Sequence, residues 1–176
     1  MSKIILRHLT LDDKVLLEKA MAENWESNFD FVHYWDSLAK GNFERFIEVI
    51  PEISRGLHLP KGHIPCTFLF AFNENNEIVG RTSIRHTLTD YLLKAGGHIG
   101  YGVCPSFRRQ GYATAILKES LSWVKINLPH LTQVLVTCDE GNMGSQKTIE
   151  NNGGVLEDII DVGGQSRKMR FWVPVK

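Results

Sequence analysis

The run Gly100-Tyr-Gly-Val-Cys-Pro-Ser-Phe-Arg-Arg-Gln-Gly-Tyr-Ala-Thr114 leaves few folds open to this chain. A strand-forming stretch meets Pro105, which cannot donate to a ladder, and a helical pattern starts a few residues later. That pattern runs over residues 111–127, with Ala115, Ile116, Leu121 and Val124 on one side, until Leu128-Pro129 stops it. Its opening is built from Arg108, Arg109, Gln110, Gly111 and Ala113. The unpartnered N–H groups and the dipole of a helix start favour negative charge, and small residues let a diphosphate approach the backbone. Residue chemistry alone leaves two readings: an anion site reinforced by Arg108 and Arg109, or a solvated basic turn opening an ordinary helix.

The remaining elements set this unit in an α+β chain. Residues 3–8 read as a strand, and Thr10-Leu-Asp-Asp13 offers caps for a helix reaching about Asn24. Between residues 29 and 54 stand Phe29, Phe31, Tyr34, Trp35, Phe43 and Phe46, a density of rings that predicts two short helices broken at Gly41. Pro51 and the loop 56–65 end that region. Residues 66–72 and 77–85 around the turn 73–76 read as a hairpin. A connector of undefined type over 88–95 leads through Gly96-Gly97 to a strand over 98–104. A strand over 132–138 precedes a helix over 142–152, which Gly153-Gly154 closes as a left-handed C-cap. Residues 155–162 and 166–175 form a closing hairpin around Gly163-Gly164. No internal repeat or linker divides the chain, so residues 1–176 are expected to form a single domain.

Composition excludes several partners. Twenty basic and twenty acidic side chains cancel, which leaves no chain-wide basic field for nucleic acid or an anionic membrane. No apolar run approaches the roughly 18 residues of a membrane span, and the first residues lack a secretory pattern. Cys66, Cys104 and Cys138 have neither disulfide-framework nor zinc spacing, and His58 and His63 lack acidic or cysteine partners, so no metal is expected. A reducing cytosol is the expected location. No GxxxxGK(S/T) loop is present for a nucleoside triphosphate.

Val103-x-Pro105-x-x-Arg108-x-x-Gly111-x-Ala113 resembles the signature of the GNAT acetyltransferases, in which Arg/Gln-x-x-Gly-x-Gly/Ala binds the pyrophosphate of acetyl-CoA. Asn142-x-x-Ser145, followed by Glu150-Asn-Asn-Gly153, is similar to that family's second cofactor motif, one helix and one strand downstream. Gly97-His-Ile-Gly-Tyr101 with the Asn-Gly-Gly ending resembles a bacterial group of predicted acetyltransferases. The resemblance implies a mixed, mostly antiparallel central sheet with helices on both faces and splayed, parallel fourth and fifth strands. It implies acetyl-CoA as co-substrate and a small-molecule or peptide amine as acceptor. Backbone amides of Arg109, Gln110, Gly111, Tyr112, Ala113 and Thr114 would take the pyrophosphate, with Arg108 as the signature side chain. Val103 and Cys104 would pair with the pantetheine arm, and an N–H there would polarise the thioester carbonyl. A strand bulge at Gly100 and Gly102 would open the cleft, while Asn142 and Ser145 would contact the far side of the cofactor.

The chain departs from the pattern at its chemical centre. Many relatives carry a tyrosine acid seven residues after the asparagine, where this chain has Ile149. Tyr101 and Tyr112 are nearby in sequence. His98 is the expected base, with His86 as a second histidine in the region, and Asp139 and Glu140 end the fifth strand. Cys104 and Cys138 at the two strand ends admit a covalent route beside direct transfer. Two functions follow: acetyl transfer to an amine, or an acyl-CoA-binding module without turnover. The rings between residues 29 and 46 are expected in the core and on the acceptor side, and the closing hairpin could pair with a second copy as a homodimer.

Overall fold

Two antiparallel sheets carry the chain, which the computed structural model describes over residues 3–26, 29–163 and 166–176. The first holds β1 (Ile5–Arg7), β2 (Cys66–Phe72), β3 (Ile78–Arg85) and β4 (Ile99–Val103) in that order. The second holds β5 (Gln133–Asp139), β7 (Lys168–Pro174) and β6 (Val155–Ile160), with β7 in the middle. Among the described residues no ladder joins β4 to β5, so the sheet surface parts between them. The turn expected at Gly163-Gly164 lies partly outside the described residues, since Gly164 is not among them.

Apolar pattern explains how the helices cover these sheets. Every residue of β2 is buried, as a continuous apolar run on both faces requires. Phe68, Phe70 and Phe72 pack against α1 (Lys14–Met21) and α2 (Phe43–Ile53) through Leu17, Phe43, Phe46 and Ile50. Ala71 and Val79, on the other side, meet Ile116 of α4 (Tyr112–Asn127). Leu117, Leu121 and Val124 carry α4 onward to Val134, Val136 and Phe171 of the second sheet, where α5 (Met143–Asn151) adds Ile149. Burial of each such side chain is worth roughly 1.5–3 kcal/mol, so α4 stabilises the join between the sheets.

Several expected elements take a different form. The first helix is shorter than its pattern: a 3-10 turn, Leu11–Asp13, precedes α1, which ends at Met21. Residues 29–42 form turns and not a helix, because Tyr34, Lys40 and Gly41 adopt left-handed φ values of 68°, 56° and 70°. A right-handed helix cannot pass through such residues. Only α2 remains there, started by Asn42, whose Oδ1 accepts from Arg45 N–H at 2.7 Å. Pro51 lies inside α2, two residues before its end at Ile53, and does not terminate it. The undefined connector contains α3 (Asp90–Ala95), capped by Thr89. The expected bulge at Gly100 and Gly102 is not formed: β4 keeps an unbroken register with β3, Gly102 opposite Arg81 and Gly100 opposite Ser83. Gly102 answers to a close approach instead, since a Cβ there would lie 2.2 Å from Cζ of Phe29.

Candidate functional site

Beyond Val103 the chain makes a single 3-10 turn, Pro105–Phe107, and then passes through two left-handed residues, Arg109 (φ 60°) and Gly111 (φ 83°). Gly111 is the N-cap of α4 and supplies no side chain to cap it. The first helical bond there is from Ala115 N–H to Gly111 O at 3.2 Å, so geometry leaves the amides of Tyr112, Ala113 and Thr114 without helical partners. The expected anion residues Arg108, Arg109, Gln110, Gly111, Tyr112, Ala113 and Thr114 therefore share one turn at the head of a 16-residue helix.

Two carboxylates already lie on this turn. Arg108 holds Glu26 through both Nη atoms, at 2.6 and 2.8 Å, and its guanidinium stands 5.8 Å from the Trp25 ring. That pairing brings the Glu26 carboxyl down to about 2. Glu23 accepts from Ser106 N–H at 2.8 Å and from Ser106 Oγ at 2.9 Å. Sequence separation hid both contacts, which span more than eighty residues.

The edge of β4 corrects one expectation. Cys104 N–H donates to Val79 O at 2.9 Å, and Arg85 N–H donates to His98 O at 2.7 Å. Strand alternation then turns the backbone of Cys104 toward β3 and that of Tyr101 and Val103 toward the gap beside β5. Cys104 has no amide free for a ligand, and its fully buried Sγ donates to Ile78 O, with burial pushing the thiol up to about 12. Burial likewise raises Cys138 to about 11. Neither thiol suits a nucleophile.

Across the gap, Tyr101 and Ser145 share a hydrogen bond of 2.8 Å between their hydroxyls. Burial raises the phenol to about 12. Ser145 stands on the first turn of α5, and its N–H donates to Oδ1 of Asn142, the N-cap, at 3.0 Å. Asn142 thus builds the helix start that presents the Ser145 hydroxyl. Ile149 is fully buried in the second core cluster and faces no cleft.

His98 is placed where the two sheets meet and not among these groups. Its N–H donates to Leu135 O at 2.7 Å, while its Nδ1 accepts from Leu135 N–H at 2.9 Å. The ring is 6 % exposed, and burial lowers it to about 4. It serves as a neutral clip between β4 and β5. The other expected groups are also engaged: His86 with Thr67 at 2.9 Å, Asp139 with Lys168 and Ser166, and Glu140 with Arg167. His58 pairs with Glu52 at 2.7 Å and His63 with Tyr34 at 3.1 Å. Among the described residues no group of three or more His, Cys, Asp or Glu is placed to hold a metal ion, and no helix is long and apolar enough to cross a membrane.

Residues 29–34 contribute groups that pattern reading missed. Asp30 Oδ2 lies 2.7 Å from His33 Nδ1, and this bond lowers the Asp30 carboxyl. Arg81, only 4 % exposed, donates from Nη2 to Asp30 O at 2.7 Å and stands 4.7 Å from the Phe29 ring, with its Nε unpartnered. Beside them opens a cavity of about 560 Å³, lined among others by Glu23, Trp25, Phe29, Asp30 and Tyr34. The one sequence signal was the Asp-x-x-His spacing, which the surrounding rings disguised as core.

A sheet that parts beside an anion-ready helix start defines the class of protein: an acetyltransferase fold. Residues 3–155 match the acetyltransferase (GNAT) domain, and the chain belongs to that family. It is 27 % identical over 109 residues to an uncharacterised N-acetyltransferase of Bacillus subtilis (strain 168), YjdG, a match spanning 62 % of this chain and 59 % of that one. Among solved structures it resembles the ribosomal-protein-S5-alanine acetyltransferase of Vibrio fischeri, with TM-score 0.68 and 16 % identity over 100 % of this chain and 95 % of that one. It also resembles the spermidine/spermine N-acetyltransferase SpeG of Vibrio cholerae, with TM-score 0.58 and 14 % identity over 98 % and 93 %. At such identities these two structures speak for the fold alone.

Proposed function

We propose that this protein moves an acetyl group from acetyl-CoA directly to an amine on a small molecule or peptide. The observation that carries the proposal is the uncapped head of α4, preceded by left-handed Arg109 and Gly111 and adjoining the edge of β4 that no described strand pairs. The amides of Tyr112, Ala113 and Thr114 would hold the diphosphate, with charge from Arg108 and Arg109. Tyr101 and Val103 would pair with the pantetheine arm, and Val103 N–H would polarise the thioester carbonyl. Acetyl-CoA itself supplies the activated acyl carbon. As the acceptor nitrogen bonds that carbon, the C–S bond breaks and the thiolate takes a proton from the Tyr101–Ser145 hydroxyl pair. The phenol is protonated at neutral pH, and the Ser145 hydroxyl bond offsets part of the rise that burial causes by stabilising the phenolate left behind.

Three free, buried cysteines fit a reducing cytosol, and exposed Val155 and Leu156 on the edge strand β6 fit pairing with a second copy. A second reading, an acyl-CoA-binding module, draws on Ile149 standing buried where many relatives keep a phenol.

Calorimetric titration of acetyl-CoA into wild type and Arg108→Glu tests the cofactor site. Micromolar binding by wild type alone supports it, and no binding by folded wild type removes it. Thiol release with spermidine or an alanyl tripeptide as acceptor supports transfer; tight binding without turnover favours the module.

A further inference from the structure

We infer that His33, oriented by Asp30, is the base that takes the proton from the acceptor amine. The inference rests on the transferase reading above. An alkylamine of pKa about 10.4 is mostly protonated near neutrality, so a group able to receive its proton matters to the rate.

The Asp30–His33 pair has the form such a group takes. With Nδ1–H donating to Asp30 Oδ2 at 2.7 Å, the ring's lone pair is on Nε2. Nη2 of Arg81 lies 3.5 Å from Nε2, at the limit of a hydrogen bond, and gives its short bond, 2.7 Å, to Asp30 O. Among the described residues the lone pair meets only this long contact. The His33 side chain is 35 % exposed, which gives the received proton a way out to water.

Its position follows from strand register. The His33 ring packs edge-on against Phe68, 5.7 Å between centroids. Phe68 pairs with Ser83, and Ser83 pairs with Gly100, on one face of the sheet. Arg81, the other neighbour of His33, pairs with Gly102. His33 thus stands over the strip of β3 beside Gly100 and Gly102. The atoms nearest a Cβ at Gly100 would be Ser83 Oγ at 3.1 Å and the Arg85 guanidinium at 3.7 Å, both from β3 and not from the overlying loop. An amine passing above Gly100 would reach the edge of β4 with His33 at its side.

The groups facing the ring are Asp30 from its own segment, Arg81 from β3, and the adjacent Tyr34, whose hydroxyl is tied to His63. Asp30 fixes which ring nitrogen carries the proton, and Arg81 places its guanidinium beside the other. Two other histidines beside the sheets are held by structure, His98 by Leu135 and His86 by Thr67. The protons balance: the ammonium gives one to Nε2 before its nitrogen attacks, and that proton passes on to water; the nitrogen gives a second as the tetrahedral adduct collapses, which restores the hydroxyl pair that protonated the departing thiolate.

The test measures thiol release from acetyl-CoA with spermidine and with an alanyl tripeptide, for wild type, His33→Ala, His33→Gln and Asp30→Asn. His33→Ala is expected to lower kcat/KM by about 100-fold, with Asp30→Asn in between, while calorimetric acetyl-CoA affinity and the circular dichroism spectrum stay as in wild type. The acid limb of the pH profile should vanish in His33→Gln, and added imidazole should restore His33→Ala. Activity of His33→Ala within a few-fold of wild type overturns the inference. So does a loss that imidazole cannot rescue and that leaves the acid limb intact. Wild-type protein that binds acetyl-CoA yet turns over neither acceptor overturns this inference together with the transferase reading; binding by neither route removes the cofactor site first.

Discussion

The side proposed for the cofactor and the side proposed for the acceptor are built by opposite means. From β4 through α4 and across to β5, backbone requirements decide: a left-handed arginine and glycine, an uncapped helix head, and a glycine at the seam with φ of 64°. Over residues 29–42 rings decide, and the backbone follows them through turns. Trp25 stacks on Phe31 with centroids 4.4 Å apart, Trp35 leans on Phe46 at 5.4 Å, and Phe31 meets Phe70 edge-on at 6.1 Å. On the first side one added methyl is too much, whereas on the second one missing ring is too much.

The sharpest way to break this contrast is Phe46→Ala, which removes a ring that is 1 % exposed. It should cost about 3–5 kcal/mol, lowering Tm by roughly 6–20 °C, yet leave acetyl-CoA affinity within about twofold in the folded protein. A matching collapse of affinity would mean that the two sides are not separable. Gly97→Ala comes next: its Cβ would lie 2.4 Å from Leu135 O, on a residue already left-handed. Urea unfolding should register a loss of about 2–3 kcal/mol, and a silent substitution would refute a backbone-dictated seam.

His98→Ala should cost about 1–3 kcal/mol by leaving Leu135 N–H without its acceptor. The same clip sets a pH dependence. The ring titrates near 4 in the folded protein, below its unfolded 6.5, so the unfolded chain binds more protons between these values. The His98 contribution to stability should be constant above about pH 6.5, fall as pH drops toward 4 and level off below it, so that the fall between 6.5 and 4 is shallower in His98→Ala. The smallest effect is expected from Glu26→Gln, which frees Arg108 and should tighten acetyl-CoA binding by about threefold, in line with exposed ion pairs.

What the sequence made legible follows the same division. The apolar run of β2, the helix after Pro105, and the α5 end at Gly153 (φ 84°) are local signals, each written in the residues that form the element. The turns at Tyr34 and Lys40 are not local, because their backbone is imposed by rings packing on β2 and α2. Pro51 misled for a related reason: near a helix end, a single lost N–H bond is outweighed by burial of Val49, Ile50 and Ile53. His98 had the residue type of a base and a position beside β4, but only the approach of Leu135 showed what its nitrogens do. Cys104 failed by strand parity, which a sequence cannot display without its partner. Arg81 was invisible as a partner of the Asp30–His33 pair for a simpler reason: forty-eight positions separate it from His33.

The turn proposed to take the diphosphate holds two internal carboxylates, Glu26 on Arg108 and Glu23 on Ser106, and this has a consequence for ionic strength. A diphosphate arriving there exchanges with an anion already in place, so few counterions are released to bulk. Cofactor affinity should then vary little between dilute and concentrated salt, unlike that of a bare basic loop, whose attraction is screened within about 10 Å at 0.1 M. The loop carries its own buffer against the electrolyte around it.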